Sequence, residues 1–394
     1  MRKRIAAIDI GTSKICTIMA SLDSSQGVRV QGLGLASARG IEKGLLTDLG
    51  SARAALEESI REAEGKAGYK IQTACVGISG NHVHSMSKGH NFALCKTDQI
   101  VHPEDLKGVL DMALNLKVLA DRRLVQVVPS SYTLYGHEVR NRQNTSNFNL
   151  DLEPGFINKA VLSVQILNKC LFSCGVESES LIVENVAAAE GVLHEEEKQA
   201  GTLLIDIGAD TTSISVVKEG KIQQTGMVQV GGRLISSDIA AGFGIPLEKA
   251  EQLKKMYGSV GGGSAGSGEE LQTEEGPISR EDLCDIIGAR VEEILRLILL
   301  EMGGRITLSG AVVTGGSAKL PGLVEFTQEI TGLPTRMGKP SFPQTSSDSF
   351  LADPAFGSSA GLIALKMKNW AAWPRASEPS GIQGFFASVG RLFA

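Results

Sequence analysis

Two stretches of this chain break their hydrophobic pattern in the same unusual way. AAIDIGTSKI, from Ala6 to Ile15, is an apolar run interrupted by an acid and a glycine, then small hydroxyls and a lysine; LLIDIGADTTSISV, from Leu203 to Val216, does almost the same. Around the first, residues 4–20 predict a strand, a turn at Gly11 to Ser13 and a second strand, and VRVQGLGLAS predicts a third. SARAALEESIREAEGKAG has the apolar spacing of a helix, with Gly68 to stop it, and IQTACVGIS returns to strand. Residues 81–160 read as a separate block, with a helix (PEDLKGVLDMALNLKVLA), strands at LVQVVPSSYTLYG and a polar loop, RNRQNTSNFNLD. AVLSVQIL then predicts a strand, and LIVENVAAAEGVL a small-residue helix before the exposed HEEEKQAG.

After the second unit, IPLEKAEQLKKMYG predicts a helix and SVGGGSAGSGEELQTEEG a flexible acidic loop. ISREDLCDIIGARVEEILRLILLEM predicts a long helix capped by Ser279, with acids in its first turn. AVVTGGSAKLPGL reads as strand, glycine turn and helix, and DPAFGSSAGLIALKM as a further helix. WPRASEPSG is a proline-rich linker. Beyond it, Ile382, Phe385, Phe386, Val389, Leu392 and Phe393 recur at i, i+3, i+4, i+7, i+10 and i+11, a single stripe on a helix. Asp206 lies 206 − 9 = 197 residues after Asp9, so the chain reads as two similar α/β halves.

Composition narrows the classes. With 394 residues there is room for two or three domains with real cores. A net charge of −5 argues against a sequence-independent grip on nucleic acid. The six cysteines show neither zinc-ligand spacing nor a disulfide framework, which makes a reducing compartment the expectation. MRKRIAAIDIG starts like a signal peptide, but Asp9 and Lys14 interrupt it, and no run of 18 apolar residues occurs anywhere.

The repeated break carries chemistry. A glycine turn lets successive N–H groups point inward and bind phosphate oxygens. In the first copy Gly11 makes the turn, Thr12 and Ser13 add hydroxyl donors and Lys14 a point charge. Asp9, ending the strand, is placed for Mg²⁺ through water. The second copy supplies Asp206, Gly208, Thr211 and Thr212. Alone, either is equally a plain hairpin. Two facing nests across a cleft would clamp a triphosphate and its metal from both sides. VGGR, Val230 to Arg233, adds a glycine approach before a helix, and VVTGGSAKLPG a site suited to a nucleoside.

In this order these motifs resemble the actin-like ATPase superfamily, and the likeness spans nearly the whole chain. It implies an α/β fold of two lobes with duplicated ribonuclease-H-like halves. It also implies that Asp210 joins the second phosphate loop and that Gly231 and Gly232 approach the phosphates. Gly315, Gly316, Ser317 and Lys319 would lie against base and ribose, and Glu251 and Lys254 on the helix bordering the base; a bland surface helix is the alternative for those two. Glu184 matches the acid that positions the attacking water in hydrolytic members, though Asn185 and Val186 follow it instead of the usual proline. Within the superfamily, VGISGNHVHSMSKG and GGRLISSDIAAGFGIPLEKAEQLK are similar to segments of the FtsA family of bacterial division proteins.

That resemblance implies a domain plan. It comprises a first lobe at 1–80 returning at 161–200, an FtsA-type inserted subdomain at 81–160, and a second lobe at 201–228 and 306–368. Its smaller subdomain would be 229–305, with a flexible loop at 258–277, followed by a linker at 369–380 and an amphipathic membrane-targeting helix at 381–394. It further implies ATP and Mg²⁺ as ligands, at most weak ATPase activity and self-assembly into filaments. The expected place is the cytoplasmic face of the membrane at the division site. Expected partners are the lipid surface, the FtsZ C-terminal peptide and other division proteins, with no nucleic acid. Arg290 and Arg296 on the long helix could meet an acidic peptide; equally they are its solvated face. The tail stripe could instead dock on a partner or on the chain itself. The family's proline- and glycine-rich motif late in the insert has little likeness to YGHEVRNRQNTSNFNLDLEPG. Other readings are a PilM-like scaffold of a membrane assembly, which would lack this tail, and a superfamily kinase or chaperone, for which no catalytic aspartate motif or peptide-binding domain is visible.

Overall fold

Each IDIG unit opens a five-stranded sheet, and the two sheets share one topology. The computed structural model describes residues 3–23, 27–79, 84–87, 122–134, 137–138, 150–261, 269–273, 276–303, 307–341 and 352–367. The expected linker 369–380, the tail helix with its six apolar positions, and the helix expected at 103–120 lie outside the described residues.

The first lobe runs β1 (Lys3–Ile10), β2 (Lys14–Asp23), β3 (Gly27–Ser37), α1 (Leu49–Ala67) and β4 (Thr73–Ile78). An inserted four-stranded sheet follows, with β5 (His84–Ser87), β6 (Arg122–Leu134), β7 (His137–Glu138) and β8 (Leu150–Ala160), in the order β5-β8-β6-β7. The chain returns through α2 (Val161–Ser173) and β9 (Glu177–Val183) to α3 (Glu184–Val192). A short helix, α4 (Glu195–Ala200), leads into the second lobe. That lobe holds β10 (Thr202–Ile207), β11 (Thr212–Lys218), β12 (Lys221–Val228), α5 (Gly232–Phe243) and α6 (Leu247–Tyr257). Then come β13 (Glu270–Thr273), β14 (Gly276–Ser279), α7 (Arg280–Met302), β15 (Gly310–Thr314), α8 (Leu323–Thr331), β16 (Thr335–Met337) and α9 (Gly357–Met367).

In the first sheet β1, β2 and β3 form an antiparallel meander, while β4 and β9 add in parallel on the other side of β1. In the second, β10, β11 and β12 make the meander, and β15 and β16 add in parallel beside β10. Parallel additions need crossover helices, which α1 and α8 supply among others. Each sheet has its own core. Ile8, Ile15, Leu56, Val76 and Ile182 anchor the first, and Leu203, Ile205, Ile214, Ile287 and Val313 the second.

Several helix ends follow from local chemistry. Gly68 takes a left-handed φ of 77° where α1 stops, as its sequence position predicts. Ser279 accepts the Asp282 N–H at the start of α7. Leu283, Ile287, Val291, Ile294, Leu295 and Ile298 then recur on one face of α7 and are all buried. Their burial is worth a gross 9–18 kcal/mol, at roughly 1.5–3 kcal/mol each.

Three segments differ from their sequence reading. AVLSVQIL, read as a strand, begins α2: Val164, Leu167, Cys170 and Leu171 are buried at helical spacing, which the short apolar run concealed. Leu181 to Val183, read as helix, finish β9, and α3 starts at Glu184. Within 258–277, read as loop, Leu271 pairs with Ile278 across the β13–β14 ladder and both are buried.

By its packing α9 joins the first core, through Leu362, Ile363 and Leu365, rather than the second lobe where the boundary at 368 put it. α3 straddles: Val186 and Ala187 pack in the first core, while Ala188 and Val192 pack against Leu204 and Val312 of the second lobe. α3 and α9 cross where a Cβ at Gly361 would stand 1.7 Å from the Ala187 carbonyl oxygen. Only glycine fits there.

Candidate functional site

Both hairpins open on one cleft of about 930 Å³ between the lobes. Their turns close identically: the Gly11 N–H donates to the Lys14 carbonyl at 3.1 Å, and the Gly208 N–H to the Thr211 carbonyl at 3.0 Å. Asp9 lies opposite Cys16 on β2, and Asp206 opposite Ser213 on β11, so each acid occupies the same register one residue before the end of its strand. The duplication read from the sequence is therefore a duplication of geometry.

The two acids share the cleft floor. Burial pushes both carboxyls above the usual range, Asp206 to about 6, and the Asp9 charge adds to the rise at Asp206. Each is held by a serine at the start of α9: the Ser359 hydroxyl meets Asp9 Oδ2 at 2.5 Å, and that of Ser358 meets Asp206 Oδ2 at 3.1 Å. Gly315, at φ 90°, lets the backbone pass against Asp206; a Cβ there would come within 2.4 Å of its Oδ1. Lys14 donates to the Ala355 carbonyl at 2.5 Å and lies 3.7 Å from the centroid of the Phe356 ring, and burial lowers its pKa.

Glu251 and Lys254, on α6, are not a bland surface pair. Lys254 Nζ is buried and donates to the Gly232 carbonyl at 2.7 Å and the Ser236 hydroxyl at 2.8 Å, tying α6 to the N-terminus of α5. Burial alone would raise Glu251, but hydrogen bonds from Lys254, Ser236 and Lys255 bring it down to about 2. The adjacent N-terminus of α5, opening at Gly232 on the cleft, suits an anion.

Of the residues singled out in the sequence, Asp9, Gly11, Thr12, Ser13, Lys14, Glu184, Asp206, Gly208, Thr211, Gly232, Glu251, Lys254, Gly315, Gly316, Ser317 and Lys319 all line this cleft. Asp210, Thr212 and Gly231 are not among the lining residues. Thr212 donates its hydroxyl to the Val230 carbonyl inside the second lobe, and Gly231 packs against the Ala209 carbonyl. Asp210 accepts from Arg233 Nε at 2.6 Å and from the Lys43 N–H at 3.2 Å. Arg233 also reaches the Thr12 carbonyl at 3.2 Å, so these contacts bridge the two lobes at the cleft mouth. Arg290 and Arg296 are engaged on or beside α7, Arg290 with Asp238 at 2.6 Å and Arg296 with Glu292 at 2.5 Å.

Sequence reasoning passed over Ser358, Ser359 and Phe356, although DPAFGSSAG, with its cluster of hydroxyls before an apolar helix, was a usable signal. Among the described residues no group of three or more His, Cys, Asp or Glu side chains could hold a metal unaided. A pair of carboxylates suits Mg²⁺, which keeps several waters and takes phosphate oxygens as its other ligands. The donor set therefore fits that ion together with a polyphosphate.

Comparison with known proteins shows the family and the fold. The family model described as cell division protein FtsA matches residues 203–361. The chain is 32% identical over 372 residues to the cell division protein FtsA of Pseudomonas aeruginosa, covering 92% of this chain and 88% of that protein. It is 26% identical over 373 residues to that of Bacillus subtilis, covering 92% and 83%. Among solved structures, the PilM–PilN type IV pilus biogenesis complex aligns with a TM-score of 0.67 at 16% identity, covering 95% of this chain and 99% of that one. MreB5 of Spiroplasma citri bound to ADP aligns at 0.53 and 16%, covering 93% and 99%. With its paired sheets, the chain has the actin-like two-lobed fold expected from its motifs.

Proposed function

Since the chain belongs to the FtsA family of cell division proteins, we propose that it binds Mg·ATP between its lobes, assembles into filaments and tethers FtsZ filaments to the inner face of the membrane. The observation that carries the nucleotide part is the pair of equivalent hairpins, with Asp9 and Asp206 together on one cleft floor. The MreB5 structures bound to ADP and to AMPPNP, which share this fold, support it.

In this reading the turn N–H groups, Thr12, Ser13 and Thr211 hold phosphate oxygens, and Lys14 supplies the positive charge. Mg²⁺, when bound, neutralises phosphate charge, and Asp9 and Asp206 orient its waters. Gly315, Gly316, Ser317 and Lys319 face the nucleoside, with Glu251 and Lys254 forming the opposite wall. Glu184 lines the same cleft and is the group to position water.

The membrane part rests on the stripe Ile382, Phe385, Phe386, Val389, Leu392 and Phe393. With one arginine in that segment, a single copy gains little from anionic lipid and binds weakly. A filament presents many copies and binds by avidity. Co-sedimentation of the full chain with liposomes, against a chain ending at Trp373, tests this: only the full chain pellets, and equal pelleting removes the anchor. The structural likeness to PilM favours a second reading, a scaffold using a different partner. Binding of an FtsZ C-terminal peptide separates the two.

A further inference from the structure

Ser358 and Ser359 are neighbours in the first turn of α9, yet their hydroxyls go to carboxylates that stand at equivalent positions in the two lobes. Ser359 meets Asp9 at 2.5 Å, 350 residues away in the chain, and Ser358 meets Asp206 at 3.1 Å, 152 residues away. Ser359 itself is buried. The other oxygen of each carboxylate, Oδ1, stands near a glycine. A Cβ at Gly77 would stand 3.3 Å from Asp9 Oδ1, and one at Gly315 2.4 Å from Asp206 Oδ1. Each acid is thus held by one serine hydroxyl and bordered by one glycine.

We propose that Ser358 and Ser359 are positioning residues for the metal. They set the orientation of the two carboxylates from a single helix turn, so that the separation of the acids follows the placement of α9. The inference rests on the nucleotide reading of the cleft and goes beyond it, because it assigns the metal's share of binding to residues outside both phosphate hairpins. A hydroxyl donated to a buried carboxyl group fixes the rotamer of a side chain that has few other polar partners. Loss of the Ser359 hydroxyl leaves Asp9 Oδ2 without that donor and free to turn from the position that meets a metal-bound water. The phosphate contacts of Gly11, Thr12, Ser13 and Lys14 do not pass through either serine, so metal-free binding is unaffected.

The test is ATP affinity, by calorimetry on the full chain, with Mg²⁺ and again with EDTA. The readout is the ratio of the two affinities, which a merely structural role would not move. For Ser359→Ala the ratio falls about tenfold or more, while the affinity in EDTA stays within about twofold of wild type. Ser358→Ala gives a smaller fall, its bond being longer and more exposed, and Ser359→Thr, which keeps the hydroxyl, restores most of the ratio. An unchanged or larger ratio in Ser359→Ala overturns the proposal while leaving the nucleotide reading intact. Should Ser359→Ala not fold, the ratio in Ser358→Ala decides, and no change there is equally a refutation. A wild-type chain that takes up no ATP in either buffer overturns the nucleotide reading and the serine role with it.

Discussion

Asp206→Asn should make the metal-free protein more stable while abolishing its response to Mg·ATP. In the folded chain, burial and the Asp9 charge raise Asp206 to about 6, against 3.8 for the free side chain. At 1.36 kcal/mol per pH unit, an ionised Asp206 at pH 7.5 costs the fold roughly 3 kcal/mol at most. The sign follows from linkage: a carboxyl whose folded pKa is raised binds more protons folded than unfolded. Its contribution to stability is fully present below the unfolded pKa and is lost as pH rises through the folded value, between about 4 and 6. Asparagine carries no charge to desolvate and can still accept from Ser358. Thermal unfolding in EDTA should therefore place the variant several degrees above wild type at pH 7.5, at roughly 2–4 °C per kcal/mol for a lobe-sized unit. The gap should close toward pH 4. With Mg·ATP at a thousandfold excess over Kd the order reverses, because wild type gains about 4.1 kcal/mol and the variant gains little. A variant that melts below wild type in EDTA at pH 7.5, or that gains as much from Mg·ATP, refutes the argument.

Three further outcomes follow from named contacts. Gly361→Ala drives a methyl into the Ala187 carbonyl and should cost about 1–3 kcal/mol or more by thermal melting, whereas Gly288→Ala, with nothing within 4 Å, should cost nothing. Arg233→Ala removes the bridge from Asp210 to the Thr12 carbonyl and should raise the nucleotide dissociation rate roughly 2–10-fold in stopped flow. Lys254→Met leaves the Gly232 carbonyl and Ser236 without their buried donor, while Glu251 keeps Lys255; it should cost about 1–2 kcal/mol, with weaker ATP binding by calorimetry, and full affinity would remove the α6 wall from the site.

The parts of this molecule that were legible in the sequence are those where backbone chemistry dictates a residue type and the chain uses it twice. Asp9 with Gly11 and Asp206 with Gly208 stood out for that reason, as did the Ser279 cap and the Gly68 stop. Within ADTT, by contrast, every residue can contact phosphate, and only the direction of the turn decides that Thr211 lines the cleft while Asp210 pairs with Arg233. The serines of α9 were obscured because they meet partners 152 and 350 residues away, and a local pattern reads them as an ordinary helix start. α2 was mistaken because AVLSVQIL is too short to separate a period of 3.6 from a continuous buried strand, until Cys170 and Leu171 extend it.

The two connecting helices supply the link from cleft to lobes. α3 begins at Glu184 and α9 begins beside Ser358 and Ser359, so both have their first turn on the cleft. α3 then divides its packing between the two cores, while α9 commits to the first. They cross at Gly191 and Gly361, where backbone meets backbone, while at Gly357 the side chains of Val192 and Thr314 close in. Whatever pulls Asp9 and Asp206 together acts on the start of α9 through two hydroxyls and reaches the crossing within one or two helical turns. A methyl at position 361 should therefore disturb both the crossing with α3 and, about one helical turn away, the placement of Ser358 and Ser359 on the two acids.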